Sequence, residues 1–376
     1  MIYFDNAATG GFKPTKSIES AINAIKNLNA NAGRSGHKLS LLASEMIYDA
    51  RKTLSDFLDS DGAQRIVFTS NCTTALNTAI FGLYKKGGKV ITTALEHNSV
   101  LRPLYELERR GEISLSIIYP KAGGVSAEEV ESQLTPDTSL VVINAVSNVT
   151  GQENDVDGIG KLLQKTDARF IVDGAQAVGH TKISVNNQLI DALCIAGHKG
   201  LLSIQGVGAI AFSKKANLRP LTFGGTGADS FSKEMPDYFP ERLEAGTLNL
   251  PAICSLKESV SYLSGNLSYV SNQLLSLTEY LIDKLARLPF IKIQSIPNKY
   301  GIVSFTHTEI PSQELAEILS EKYDIAVRGG FHCAPLVHKF LKTQKLGTVR
   351  VSFAPQNTRK EINTLIHALE QTTISN

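Results

Sequence analysis

Lys199 closes the stretch Asp191-Ala-Leu-Cys-Ile-Ala-Gly-His-Lys199, which reads as a short apolar strand running into a Gly-His-Lys turn. Upstream, Ala168-Arg-Phe-Ile-Val-Asp173 reads as a similar strand ending in an acid, followed by Gly174-Ala-Gln176. A lysine and an acid at the ends of neighbouring buried strands are what a pyridoxal phosphate (PLP) site needs. The lysine holds the cofactor aldehyde as a Schiff base, and the acid keeps the pyridine nitrogen protonated so that the ring can accept electrons.

Other polar groups fall at similar places. Ser70-Asn71-Cys72-Thr73-Thr74-Ala75-Leu76-Asn77 follows a strand and opens a helix. Backbone N–H groups at a helix start, with hydroxyls, bind an anion, although a plain N-cap explains the same residues. His97 lies just past a second strand, where it can stack on the ring. Asn148 lies past another, within reach of the ring hydroxyl or a substrate carboxylate, and Gln176 follows Asp173 by three residues. Each alone fits an ordinary turn residue; five polar groups at successive strand ends of one sheet point to a shared site.

A nucleophile is also present. Val327-Arg-Gly-Gly-Phe-His-Cys-Ala-Pro335 carries Cys333. A free cysteine is only a few per cent thiolate at neutral pH, so a nucleophilic Cys333 needs cations beside it, and Arg328, His332 and Arg350 are the candidates. Cys194 and Cys254 sit in apolar context and read as buried and inert. Cys72 lies in the anion loop, where a backbone contact is the expected role. Arg350, on Thr348-Val-Arg-Val-Ser352, reads either as a surface strand residue or as a fork for an α-carboxylate. Arg34, His37 and Lys38 form a polar loop expected at the site rim or a subunit interface.

The elements that position these groups alternate. Strands are expected at 65–69, 89–93, 114–118, 139–143, 169–172, 192–195 and 208–212, mostly apolar runs without alternation, as in strands covered on both faces. Helices are expected at 73–84, 100–110, 127–134 and 159–165. This is an α/β pattern with a mostly parallel sheet, whose ligands gather at the carboxyl ends of the strands. Residues 223–250 read as a Gly-, Ser- and Pro-rich loop crossing that face. A long helix at 252–288, strands at 291–295, 301–305, 325–328 and 348–353, and helices at 312–322 and 358–371 make a smaller α+β part. The expected division is a large domain at 15–250 and a small one formed by 1–14 and 251–376.

Composition narrows the classes. With 38 basic and 36 acidic residues among 376, there is no footprint for nucleic acid or an anionic membrane. No apolar run approaches the roughly 18 residues of a membrane span, and no basic region followed by an apolar stretch marks a secretory signal. Four widely separated cysteines without CxxC spacing indicate neither a zinc site nor a disulfide framework. A cytoplasmic protein with reduced thiols is the expectation.

The motifs Phe4-Asp-Asn-Ala-Ala-Thr9, Asn71-Cys-Thr-Thr74, Glu96-His97, Ser147-Asn148, Asp173-Gly-Ala-Gln176, Gly197-His-Lys199, Glu244-Ala-Gly-Thr247, Arg328–Ala334 and Val349-Arg350 together resemble the class V aminotransferases of PLP fold type I. Within that group the chain resembles the cysteine desulfurases of the branch that includes selenocysteine lyases. The resemblance implies the following roles. Lys199 is the Schiff-base lysine and proton shuttle; Asp173 pairs with the pyridine nitrogen, Gln176 with the ring hydroxyl, and His97 stacks. Thr73 and His198 hold the phosphate with Thr247 of a partner subunit, making a homodimer. Asn148 and Arg350 hold the carboxylate of L-cysteine. Cys333 accepts the sulfur and passes it to an acceptor protein, for iron–sulfur cluster or thiocofactor assembly. Selenocysteine lyase, another C–S lyase or an aminotransferase of the same fold is the alternative implied. Three positions depart from the family pattern: Ala196 replaces a serine, Phe331 replaces the first of two histidines, and Ser203-Ile204 replaces a Gly-Pro pair.

Overall fold

The computed structural model describes residues 1–33, 35–121 and 123–372; Arg34 of the polar loop lies outside them. In chain order the elements are β1 (Ile2–Tyr3), α1 (Thr15–Asn27), α2 (Lys38–Phe57), β2 (Ile66–Thr69), α3 (Cys72–Leu83), β3 (Gly88–Thr93), α4 (Asn98–Arg109), β4 (Ile113–Ile118), α5 (Ala127–Glu131), β5 (Thr138–Asn144), α6 (Val156–Leu163), β6 (Arg169–Asp173), β7 (Ala192–Ala196), β8 (Gly208–Phe212), α7 (Leu250–Leu285), β9 (Ile291–Ile293), β10 (Ile302–His307), α8 (Ser312–Tyr323), β11 (Ile325–Ala326), α9 (Pro335–Phe340), β12 (Val349–Ser352) and α10 (Arg359–Thr372).

Seven strands form one sheet in the order β2-β8-β7-β6-β5-β3-β4. From β7 to β4 every pair is parallel. β8 alone runs against its neighbours. The apolar runs explain this. Phe170, Val172, Leu193 and Ile195 join one buried cluster, while Ile171, Ala192, Cys194 and Ala196 join another. Successive residues thus bury into opposite layers, which only a sheet covered on both faces allows.

Three antiparallel strands, β12-β10-β9, form a second sheet, and β1 pairs in parallel with β11. The N-terminal segment then straps the small sheet to the lysine turn. Asn6 Nδ2 donates to Ser352 O at 2.9 Å, and Gly10 N donates to His198 O at 2.8 Å. The turn itself is crowded: at Gly179 (φ +95°) an added Cβ would lie 2.2 Å from the Gly200 carbonyl carbon, so only glycine lets the two backbones meet.

The expected strands appear within a residue or two, except that 325–328 shortens to Ile325–Ala326 and Arg328 forms an isolated bridge with Arg350. The helix expected at 252–288 runs Leu250–Leu285. Helices α1, α2 and α9 are additions. The reason α1 escapes a pattern search is clear: it buries Ser17, Ala21 and Ala24 while Ile18, Ile22 and Ile25 stay exposed. Small side chains let α1 lie close against α7, an inversion of the usual apolar stripe.

Candidate active site

A cavity opens at the carboxyl ends of β2, β3, β5, β6 and β7. Cys72, Thr73, His97, Asn148, Asp173, Gln176, His198 and Lys199 all line it. The strand register explains the central pair. Asp173 is the last residue of β6, opposite Cys194 of the parallel β7, and Lys199 follows β7 by one turn.

Asp173 is buried, and its Oδ1 accepts from Ala175 N at 2.9 Å and from the Cys72 thiol at 3.6 Å. Burial raises its pKa, while the Ala175 bond and the Lys199 charge oppose the rise. Burial lowers the pKa of Lys199, against the pull of Asp173. A lysine with a lowered pKa holds more of the neutral amine that attacks an aldehyde.

His97 caps α4. Its Nδ1 accepts from Ser99 N at 3.1 Å and lies 2.7 Å from Ser99 Oγ. Burial, with the charges of Lys199 and Arg328, pushes its pKa down to about 4, so the ring is neutral at neutral pH. The preceding Glu96 is fully buried. Its Oε1 accepts from Thr93 Oγ1 at 2.6 Å and from Asn144 N at 3.0 Å, tying the end of β3 to β5, while Oε2 has no partner.

His198 is also neutral, with its pKa lowered to about 4 by burial and by Lys199, and its buried Nδ1 has no partner. Thr73 stands in the first turn of α3, which Asn71 caps by accepting from Thr74 N at 2.9 Å. The cap occupies Asn71 and leaves Thr73 lining the cavity. Gln176 Nε2 donates to Ala7 O at 3.0 Å. Among the departures, Ala196 lines the cavity, and Ser203 and Ile204 dock the lysine turn on Ser255 of α7 at 3.1 and 3.2 Å.

An adjoining groove shares Thr73, His97 and Ser99 with this cavity and adds Arg102 and Cys333. Cys333 is the exposed member of the four free cysteines. His332 (φ +48°) and Cys333 (φ +56°) are both left-handed, a costly conformation for side-chain-bearing residues that the surroundings must enforce. Three contacts do so. Asn98 N donates to Cys333 O at 2.7 Å, Asn148 Nδ2 donates to His332 O at 2.8 Å, and Arg328 Nη2 lies 3.6 Å from the Cys333 sulfur.

The left-handed turn corrects one expectation. His332 is no cation for the thiol: its Nε2 faces Thr348 O and Oγ1 at 3.0 and 2.9 Å, and burial holds its pKa well below the ordinary histidine value. Arg328 is the cation in contact. Phe331 is half exposed and packs edge-on against His338.

Arg350 is a buried residue, not a surface one. Its Nη1 donates to Asn148 O at 2.9 Å, its Nη2 to Asp5 Oδ1 at 2.8 Å, and its buried Nε has no partner among the described residues. Asp5, which holds Arg350, is passed over by the strand-end reasoning although it lies within the Phe4–Thr9 motif. Asn98 is passed over as well, since it acts through its backbone N–H.

Thr247 is not brought to Lys199 within one chain. It lies in a separate cavity with Asn31, Tyr48, Arg51 and Glu244, where Asn31 Nδ2 donates to its Oγ1 at 3.1 Å. Arg51 and Glu244 form a buried two-pronged ion pair at 2.7 and 2.5 Å, with Phe68 N on the same carboxylate at 2.6 Å. His37 caps α2. Among the described residues, no cluster of metal-ligating side chains occurs and no helix is long and apolar enough to cross a membrane.

The family profile for aminotransferase class V matches residues 2–365. A probable cysteine desulfurase of Pyrococcus abyssi is 32% identical over 99% of this chain and 94% of its own length. One from Methanothermobacter thermautotrophicus is also 32% identical, over 98% and 94%. The solved apo structure of cysteine desulfurase from Thermococcus onnurineus superposes with a TM-score of 0.90 at 30% identity, covering 100% of this chain and 95% of that one. The chain belongs to the class V aminotransferase family, and its mostly parallel seven-stranded sheet is that of PLP fold type I.

Proposed function

We propose that this chain is a PLP-dependent cysteine desulfurase that converts L-cysteine to L-alanine and carries the sulfur as a persulfide on Cys333. One observation carries the reading: an exposed thiol, with an arginine 3.6 Å from its sulfur, stands on a strained loop at the mouth of a cavity holding Lys199 and Asp173. The cavity fits PLP. No described residue bonds the second carboxylate oxygen of Asp173, and the buried Nδ1 of His198 lacks a partner. A pyridine nitrogen and a phosphate supply what each needs.

Bound there, PLP supplies an aldehyde for the substrate amine and a ring that accepts the electron pair released at Cα. The chain's residues would do the rest. Lys199 would hold the cofactor and then take the Cα proton. Asp173 would hold the ring nitrogen, His97 would stack on the ring, Gln176 would contact its hydroxyl, and Thr73 and His198 would hold the phosphate. Cys72 lines the same cavity and donates to Asp173. Arg350, with its unpaired Nε, and Asn148 receive the substrate carboxylate; Arg328 stands between that site and the thiol. The Cys333 thiolate attacks the substrate sulfur: an S–S bond forms, the Cβ–S bond breaks, and its electron pair stays with carbon, which is protonated to alanine.

The reading extends to a cytoplasmic homodimer in which Thr247 completes the partner's phosphate site, with lobes dividing at 15–250 and at 1–14 with 251–376. Exposed Tyr48 beside Thr247, and exposed Leu41, Leu42 and Phe223, support an apolar face for a second subunit. The persulfide passes to a sulfur-acceptor protein of iron–sulfur or thiocofactor assembly. The test is Cys333→Ala. The variant is expected to keep the visible absorption of the lysine-bound cofactor and to lose sulfide and alanine release from cysteine; undiminished release would remove Cys333 from the reaction.

A further inference from the structure

Asp173 is held asymmetrically. Its Oδ1 takes two donors from the chain, the Ala175 amide at 2.9 Å and the Cys72 thiol at 3.6 Å. No hydrogen bond from the described residues reaches its Oδ2. Cys72 opens α3, is 9% exposed and lines the same cavity as Asp173 and Lys199. Its side chain thus turns away from the anion-binding turn in which its backbone sits, toward the carboxylate. A buried thiol beside a carboxylate stays protonated: burial, then Asp173, raises its pKa well above the ordinary value. It is a donor, not a nucleophile.

We infer that Cys72 is a positioning residue for Asp173: its S–H pins Oδ1 with the Ala175 amide, which turns Oδ2 toward the ring nitrogen and keeps the carboxylate a moderate base. The inference rests on the PLP reading of this cavity and deepens it. Without the thiol proton, Asp173 is freer to rotate and more basic. A more basic carboxylate draws the proton away from the ring nitrogen, which then carries less positive charge. The nitrogen joining Lys199 to the cofactor keeps its own proton to higher pH as a result.

The experiment compares PLP-reconstituted wild type, Cys72→Ala and Cys72→Ser. Cys72→Ala is expected to bind PLP about fivefold more weakly, the equivalent of one hydrogen bond of ordinary net strength. The pH midpoint of its visible band should move upward, and kcat for cysteine should fall by a similar factor while KM holds. Cys72→Ser keeps a donor and should recover most of the loss. A Cys72→Ala protein with wild-type PLP affinity and band midpoint overturns the inference, as does a Cys72→Ser protein no better than Cys72→Ala, since that result marks packing. A wild type that takes up no PLP overturns the reading of the cavity and this inference together, and so is distinct from either outcome.

Discussion

Glu96 is the buried group whose titration can be measured most cleanly. Its carboxyl has no exposure and, among the described residues, no counter-ion, and burial raises its pKa to about 8, against bonds from Thr93 and Asn144. Its ordinary pKa is near 4.5. The folded-state pKa is raised, so folding takes up a proton between about pH 4.5 and about pH 8. The stability this provides is full below the lower value and is lost as pH rises through the upper one. The slope is about 1.4 kcal/mol per pH unit inside the window. Between pH 6 and pH 8 the wild type therefore loses about 2 kcal/mol that Glu96→Gln, nearly the same shape as the protonated acid, does not lose. An unfolding entropy of about 2.1 cal/mol/K per residue over 376 residues converts that to a relative Tm shift of about 3 °C. Thermal unfolding of both proteins at pH 6 and pH 8, with PLP saturating, reads the difference directly. Wild-type and Glu96→Gln curves that stay parallel across this range would refute a protonated Glu96.

Three further outcomes follow from the same geometry. Arg350→Lys removes the planar fork while keeping the charge, and should raise KM for L-cysteine by roughly 10- to 100-fold with the cofactor band intact; an unchanged KM would take the carboxylate elsewhere. Asn148→Ala frees the His332 carbonyl and removes an amide from the cavity, so kcat for sulfide release should fall about fivefold as the left-handed turn loosens and KM for L-cysteine should rise as well; wild-type kcat would refute the loop role. Arg51→Met leaves Glu244 buried without its partner, a loss of roughly 3–5 kcal/mol that calorimetry should show as a Tm lower by about 4–6 °C.

Much of the sheet was legible because its strands are buried on both faces and so read as continuous apolar runs. The ends of those runs then name Asp173, Lys199, His97 and Asn148, and the parallel topology brings them into one cavity. Legibility failed where long-range geometry decides. Asp5 meets Arg350 across 345 residues, and nothing local in either strand announces the pair. His332 looks like a cation beside a thiol until two successive left-handed residues turn its ring onto Thr348. Cys72 reads as an anion-loop residue because it opens a helix after a strand; only the approach of α3 to the end of β6 shows where its sulfur goes. Helix α1 hides for a simpler reason, since its buried stripe is made of serine and alanine.

The charges of the site are few, and they come from different layers of the fold. Burial holds His97, His198 and His332 neutral. The cationic groups include Lys199 after β7, Arg328 and Arg350 from the small sheet and Arg102 of α4 in the adjoining groove, with Asp173 and Asp5 among the acids. Arg350 and Arg328 both push the Lys199 pKa down, adding to the larger effect of burial, and Arg328 Nη2 also lies 3.6 Å from the Cys333 sulfur. Asp5 belongs to neither sheet proper. It lies in the N-terminal strap that pairs with Ser352 and reaches on through Gly10 to the His198 carbonyl. One short segment therefore holds both the Arg350 guanidinium and the turn that carries Lys199. On the proposed desulfurase reading, a shift of the strap disturbs Arg350 and Lys199 together, so the relative position of the two sheets, more than any single side chain, sets whether the thiol and the amine can act on one substrate.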